Sequence, residues 1–238
     1  MTLASCDSRK TAGENPFFTE WDTPHGVPPF DKILPEHFMP AFERGMSLHE
    51  AEIDAITSNK DEATFENTIL AYDNAGQMLA QTELVFGMLC AAETNDRMQA
   101  LQEQAMPLLA AHRDKIRLDD KLFVRVKEVY DRRAALGLDA EQMRLLQKTY
   151  DSFVRAGALL DAEQKARLKE INGQLSLTAV KFGNNILAEN NNFVLELKSD
   201  ELDGLPAGIR DAAREKAQQM GKGDKWVFTP VSYTHLTL

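Results

Sequence analysis

Phe65, Ile69, Tyr72, Gly76, Leu79, Glu83, Phe86 and Cys90 recur in alternating steps of four and three residues. That spacing returns to one face of an α-helix on every turn. A stripe of this length has to be buried against other helices, so the segment predicts a long packed helix. Glu83 interrupts the stripe and reads as the edge of the face, with a functional role the less favoured reading. Residues 34–59 repeat the pattern with Phe38, Phe42, Met46, Ile53 and Ile56. Residues 94–116 and 118–135 continue as helices, the second turning Leu122, Val126 and Val129 inward.

Two further helix starts are marked by one tetrapeptide. Asp-Ala-Glu-Gln occurs at residues 139–142 and again at 161–164. In each copy an aspartate stands at the N-cap, three residues before a glutamine that can reach back to it. The first helix should carry Met143, Leu146, Tyr150 and Phe153 on its inner face, and the second Leu168, Ile171, Leu175, Thr178 and Phe182. After Asn184 the texture changes. Asn190, Asn191 and Asn192 read as a turn, and Phe193, Leu195 and Leu197 alternate with Val194 and Glu196 as a short strand would. A helix over residues 207–220 follows Pro206, and residues 225–229 (KWVFT) read as a second strand able to pair with the first. Two strands alone are marginal in water, so this β element is expected to belong to a larger sheet or lobe. The fold class is therefore mainly α, with a short β element near the C-terminal end.

The 238 residues carry a net charge of -10 and no Lys/Arg-rich run. Binding to a phosphate backbone needs a clustered basic footprint, so nucleic acid is excluded as a main partner. No run of apolar residues is long enough to span a bilayer. The two cysteines, Cys6 and Cys90, do not make a disulfide framework. Cys90 lies on the apolar stripe and reads as a small buried thiol. Cys6 closes Leu3-Ala4-Ser5-Cys6, which resembles the lipobox of bacterial lipoproteins. Cys6 is thus the candidate lipidation site, residues 1–14 a truncated lipoprotein leader and tether, and Met1 an internal methionine. A chance small-residue N-terminus is the alternative. The final residues 231–238 (VSYTHLTL) resemble a translated cloning tail and are expected to be foreign to the protein, leaving 15–230 as the folded region.

The motifs that would carry chemistry are missing. No G-x-S-x-G, P-loop, G-x-G-x-x-G or H-E-x-x-H is present. His49-Glu50-Ala51-Glu52-Ile53 falls one residue short of the helical zinc motif, because Ile53 stands where the second histidine would ligate. His37 and His49 could share a metal only through an accident of packing. Acidic pairs such as Asp119-Asp120 and Glu50/Glu52 are what charged helix surfaces supply by default. No residue here is assigned a catalytic, cofactor-binding or metal-ligating role.

The segments NPFFTEW, TPHGVPPFDKI, EHFMPAFERGM, ATFENTILAYD, TYDSFVRAGALLDAEQKARLKEIN and FGNNIL follow one another between residues 15 and 229. Together they resemble the N-terminal half of the peptidyl-dipeptidases, within the thimet oligopeptidase-like family of zinc metallopeptidases. The resemblance implies the N-terminal lobe of a two-lobed, almost wholly helical protein with a deep channel, acting on short unstructured peptides. It implies zinc held by an H-E-x-x-H helix and a later glutamate, with the motif glutamate as general base. None of those residues has a counterpart in this sequence. Zinc is therefore expected in the full-length parent and not in this chain, which should be inactive alone and should pack against the missing C-terminal lobe. A stand-alone helical peptide-binding or scaffold module without catalysis is the alternative. With the lipobox, the parent is expected to be exported and held by acyl chains on a membrane, facing the periplasm; without it, a cytoplasmic address is the alternative.

Overall fold

The structure is a computed structural model and describes residues 15–230. Three 3-10 turns, Pro16–Phe18, Pro24–Gly26 and Pro35–His37, each begin at a proline, whose fixed φ suits a first helical position. The last leads into α1, Phe38–Ser58. A π-helical segment, Phe65–Leu70, runs into the short α2, Ala71–Asp73, and then come α3 (Gln77–Ala92), α4 (Asp96–Arg117), α5 (Asp120–Asp131), α6 (Ala140–Arg155) and α7 (Ala162–Asn192). Strand β1 (Leu195–Leu197), α8 (Ala207–Gln219) and strand β2 (Trp226–Phe228) complete the order. The mainly α class with a small β element is observed.

The stripe from Phe65 to Cys90 does not form one rod. The chain leaves helical geometry over residues 74–76, where Gly76 adopts φ +76°. An L-residue pays about 1–2 kcal/mol for that left-handed conformation, and glycine does not. The Gly76 N–H donates to Glu52 Oε2 of α1 at 2.7 Å, so α1 holds the break in place. The break also divides the stripe between two cores. Phe65 and Ile69 pack with Ile53, Ile56, Ile116, Leu122, Val126, Leu146 and Phe153. Leu79 and Phe86 pack with Phe17, Phe38, Phe42, Met98 and Leu109. Phe86 is the centre of the second cluster, its ring 4.9 Å from Phe38 and 5.3 Å from Phe42, both edge-to-face. Cys90 lies at the margin of this cluster, half-buried, less enclosed than the buried thiol its stripe position predicts.

Helix starts follow the sequence closely. Asp139 accepts from the Gln142 N–H at 2.9 Å and Gln142 Oε1 accepts from the Asp139 N–H at 3.1 Å. The second copy repeats this between Asp161 and Gln164 at 2.8 and 3.2 Å. Asn95 and Asp119 cap α4 and α5. Helix α6 ends in a Schellman pattern, Ala158 N–H to Phe153 O and Gly157 N–H to Val154 O.

Two compact units divide between Leu177 and Thr178, inside α7. The first holds both cores. In the second, β1 and β2 pair antiparallel with Leu195 opposite Phe228 and Leu197 opposite Trp226, and Arg214 of α8 lies 4.9 Å over the Trp226 ring. Two expectations are corrected here. The asparagine run 190–192 continues α7 to its end and is not a separate turn. Most of the predicted inner face of α7 is exposed: Ile171 and Leu175 in the first unit and Phe182 in the second are open, Phe182 to 66%. An apolar stripe is buried only where another surface meets it: Leu168, at the start of this face, is half-buried beside the Gly157 turn, while Ile171 and Leu175 lie open within the first unit. Cys6 and residues 231–238 lie outside the described residues.

Candidate functional site

The titratable groups concentrate where α1, α3 and α4 meet. His49 occupies the stripe position between Met46 and Ile53 on α1, and His112 the one between Leu109 and Ile116 on α4. The helices bring the rings together, His49 Nδ1 to His112 Nε2 at 3.0 Å. His112 is 5% exposed. On its other side His112 Nδ1 lies 3.4 Å from Glu50 Oε1, and Glu50 also pairs with Lys115 at 2.8 Å. The His49 ring packs over Gly76, where a Cβ would stand 3.0 Å from Nδ1. Burial lowers the pKa of both histidines below 6.5. For His49 the charge of His112 lowers it further, while Glu52 and Glu50 oppose; for His112, Glu50 and Glu83 oppose.

The remaining histidines stand apart from this pair. His37 is buried in its own 3-10 turn, where Nδ1 accepts from the Leu34 N–H at 3.1 Å. His25 sits exposed in the turn Pro24–Gly26 at φ +60°, and His235 lies outside the described residues. The near-motif 49–53 is no ligand set, since Ile53 is buried in a core. Among the described residues no group of three or more His, Cys, Asp or Glu is placed to hold a metal ion. Glu83 is half-buried at the edge of α3's inner face, as predicted. Burial raises the Cys90 thiol pKa, which makes it a poor nucleophile.

Three features were not singled out from the sequence, the His49–His112 pair first among them, since only a His37–His49 meeting was weighed. Arg125, nearly buried on α5, donates to the carbonyls of Asn59 and Asp61 at 3.0 and 3.2 Å and to Asn67 Oδ1 at 3.1 Å, clamping the π-helical segment to α5. An open groove of about 760 Å³ runs along α1 and α3, lined by Phe18, Trp21, Arg44, Leu48, Met78 and Leu84, with the Arg44 guanidinium 4.5 Å over the Phe18 ring. It can seat apolar groups beside one cation. The histidine pair did carry a signal, a histidine on each of two apolar stripes at a core position.

No family model matches the chain. It is 37% identical over 221 residues to the dipeptidyl carboxypeptidase of Escherichia coli (strain K12), covering 92% of this chain. The Salmonella typhimurium dipeptidyl carboxypeptidase is 36% identical over the same share, and the oligopeptidase A of Escherichia coli is 24% identical over 82%. The chain spans about a third of the length of these curated relatives, 32% for the first. It is a homologue of the dipeptidyl carboxypeptidases and, more distantly, of the oligopeptidases A, as the sequence segments indicated.

Proposed function

We propose that these 238 residues are the N-terminal portion of a zinc-dependent peptidyl-dipeptidase that hydrolyses short, unstructured peptides. The observation that carries this reading is the 37% identity over 92% of the chain to a dipeptidyl carboxypeptidase. The described residues do not fit zinc, because they bring no ligand set together. No hydrolytic step is therefore assigned to any residue here, and the ligands belong, in this reading, to sequence outside the 238 residues. The outward apolar residues of α7 support it too, since a helix that packs against further chain presents such a face.

The complete genomic reading frame containing this sequence provides the test. Expressed whole, it should bind stoichiometric zinc and release dipeptides from the C-termini of N-blocked peptides. The 238-residue chain with added zinc should not. A complete frame without H-E-x-x-H would overturn the reading.

The tetrapeptide Leu3-Ala4-Ser5-Cys6 supports a second step of the same proposal: lipidation at Cys6 and anchoring on a membrane, facing the periplasm. Labelling of the whole protein by an alkyne fatty acid should disappear in Cys6→Ser. Equal labelling of both proteins, or of neither, removes the anchor and favours a cytoplasmic address.

A further inference from the structure

On both α1 and α4 the residues flanking the histidine belong to different cores. Met46 packs against and Leu109 belongs to the cluster around Phe86, while Ile53 and Ile116 are in the cluster around Phe153. The His49–His112 contact therefore sits at the seam between the two cores. Its proton inventory is narrow. The Glu50 carboxylate beside His112 Nδ1 favours a proton on that nitrogen, which leaves Nε2 as acceptor and His49 Nδ1–H as donor across 3.0 Å. One extra proton can be held on His49 without disturbing that bond. A second must go to His112 Nε2, and two N–H groups then face each other at hydrogen-bond distance.

We propose that the His49–His112 pair is an acid-sensitive clasp: it joins α1 to α4 while it holds at most one extra proton, and it opens when both rings become imidazolium. The charged groups around it do not rescue the doubly charged state. On α1, Glu52 is committed to the Gly76 N–H, and Glu50 is shared with Lys115 of α4. On α3, Glu83 favours the charged form of His112 only against the larger opposing effect of burial. The sign follows from proton counting. Unfolded, both rings protonate near 6.5; folded, both pKa values lie lower. The unfolded chain thus binds more protons below pH 6.5, and the pair's contribution, complete above that pH, is lost as pH falls. Each missing proton shifts the folded-to-unfolded ratio by up to about tenfold per pH unit.

Urea unfolding of the 238-residue chain between pH 8 and pH 5 tests this, wild type against His49→Gln/His112→Gln. His25, His37 and His235 are present in both proteins and cancel. The wild type should lose stability more steeply below pH 6.5, approaching a tenfold excess loss per pH unit. Parallel pH profiles would overturn the proposal. Should the double variant fail to fold, NMR titration of the wild-type imidazole Cε1 protons replaces it. Two separated steps with at least one below the ordinary value support the clasp, and two coincident titrations near 6.5 overturn it.

Discussion

Gly76→Ala is the most informative single substitution, because Gly76 meets two demands whose sizes can be worked separately. The first is conformational: at φ +76° an alanine pays about 1–2 kcal/mol for left-handed backbone. The second is contact. The new Cβ would stand 3.0 Å from His49 Nδ1 and 3.1 Å from Cε1, so the ring has to move away from His112. Weakening that hydrogen bond adds about 0.5–1.5 kcal/mol. The sum is a loss of about 1.5–3.5 kcal/mol, a fall of about 0.75–1.75 M in the urea midpoint for an m-value near 2 kcal/mol/M. Gly137→Ala isolates the first demand, since Gly137 has φ +65° and nothing within 4 Å of its would-be Cβ, and it should lose only about 1–2 kcal/mol. Gly87→Ala reverses the sign: Gly87 lies inside α3 with open space around it, and alanine there should add about 0.5–1 kcal/mol. In a His49→Ala background the Gly76→Ala loss should shrink to the conformational part alone. If Gly76→Ala matches Gly137→Ala within about 0.5 kcal/mol, or its loss is unchanged without His49, the account of the Gly76–His49 contact is wrong.

The other substitutions test the caps and the clamp. Asp139→Ala and Asp161→Ala should each lose about 1 kcal/mol in urea unfolding, and their losses should add because the two boxes share no partner. Arg125→Met removes the donor to Asn59 O, Asp61 O and Asn67 Oδ1 together, and should cost about 2–3 kcal/mol while speeding amide exchange across residues 59–67.

How far the sequence could be read depended on whether a feature is local. Capping boxes are complete within four residues, and both were legible down to the pair of residues that exchange the hydrogen bonds. The core positions Phe38, Phe42, Ile53, Ile56, Leu122, Val126, Val129, Leu146 and Phe153 were legible because each lies on a stripe that another helix covers. The break at Gly76 was not. Its residue continues the four-and-three spacing, and only the Glu52 hydrogen bond from α1 shows why the chain turns there. The α7 face failed for the opposite reason: Ile171, Leu175 and Phe182 have the right spacing but no covering surface among the described residues. A stripe states which residues can be buried together; it does not say that one straight helix carries them or that a partner is at hand. The candidate site was less legible still, because His49 and His112 are 63 residues apart and only the crossing of α1 and α4 joins them.

That crossing also explains why two histidines occupy positions where leucines would pack. Leucines at both sites would join the two clusters into one apolar interior, whose packing alone would then have to select the register of α1 on α4. A buried hydrogen-bonded pair cannot slide: displaced by one turn, each ring nitrogen loses its partner at about 1–3 kcal/mol. The break at Gly76 works in the same direction, since Glu52 and the His49 ring both require the turn to stand opposite one stretch of α1. By this reasoning the polar seam should hold the register of three helices, at the expense of a junction that takes up protons when it opens. Replacing His49 and His112 by leucine puts this to the test in one protein. The variant should match or exceed the wild type in stability at pH 5.5, yet show broadened amide resonances along α1 and α4 from competing registers. Sharp, singly populated resonances in that variant would mean that the apolar stripes alone set the register.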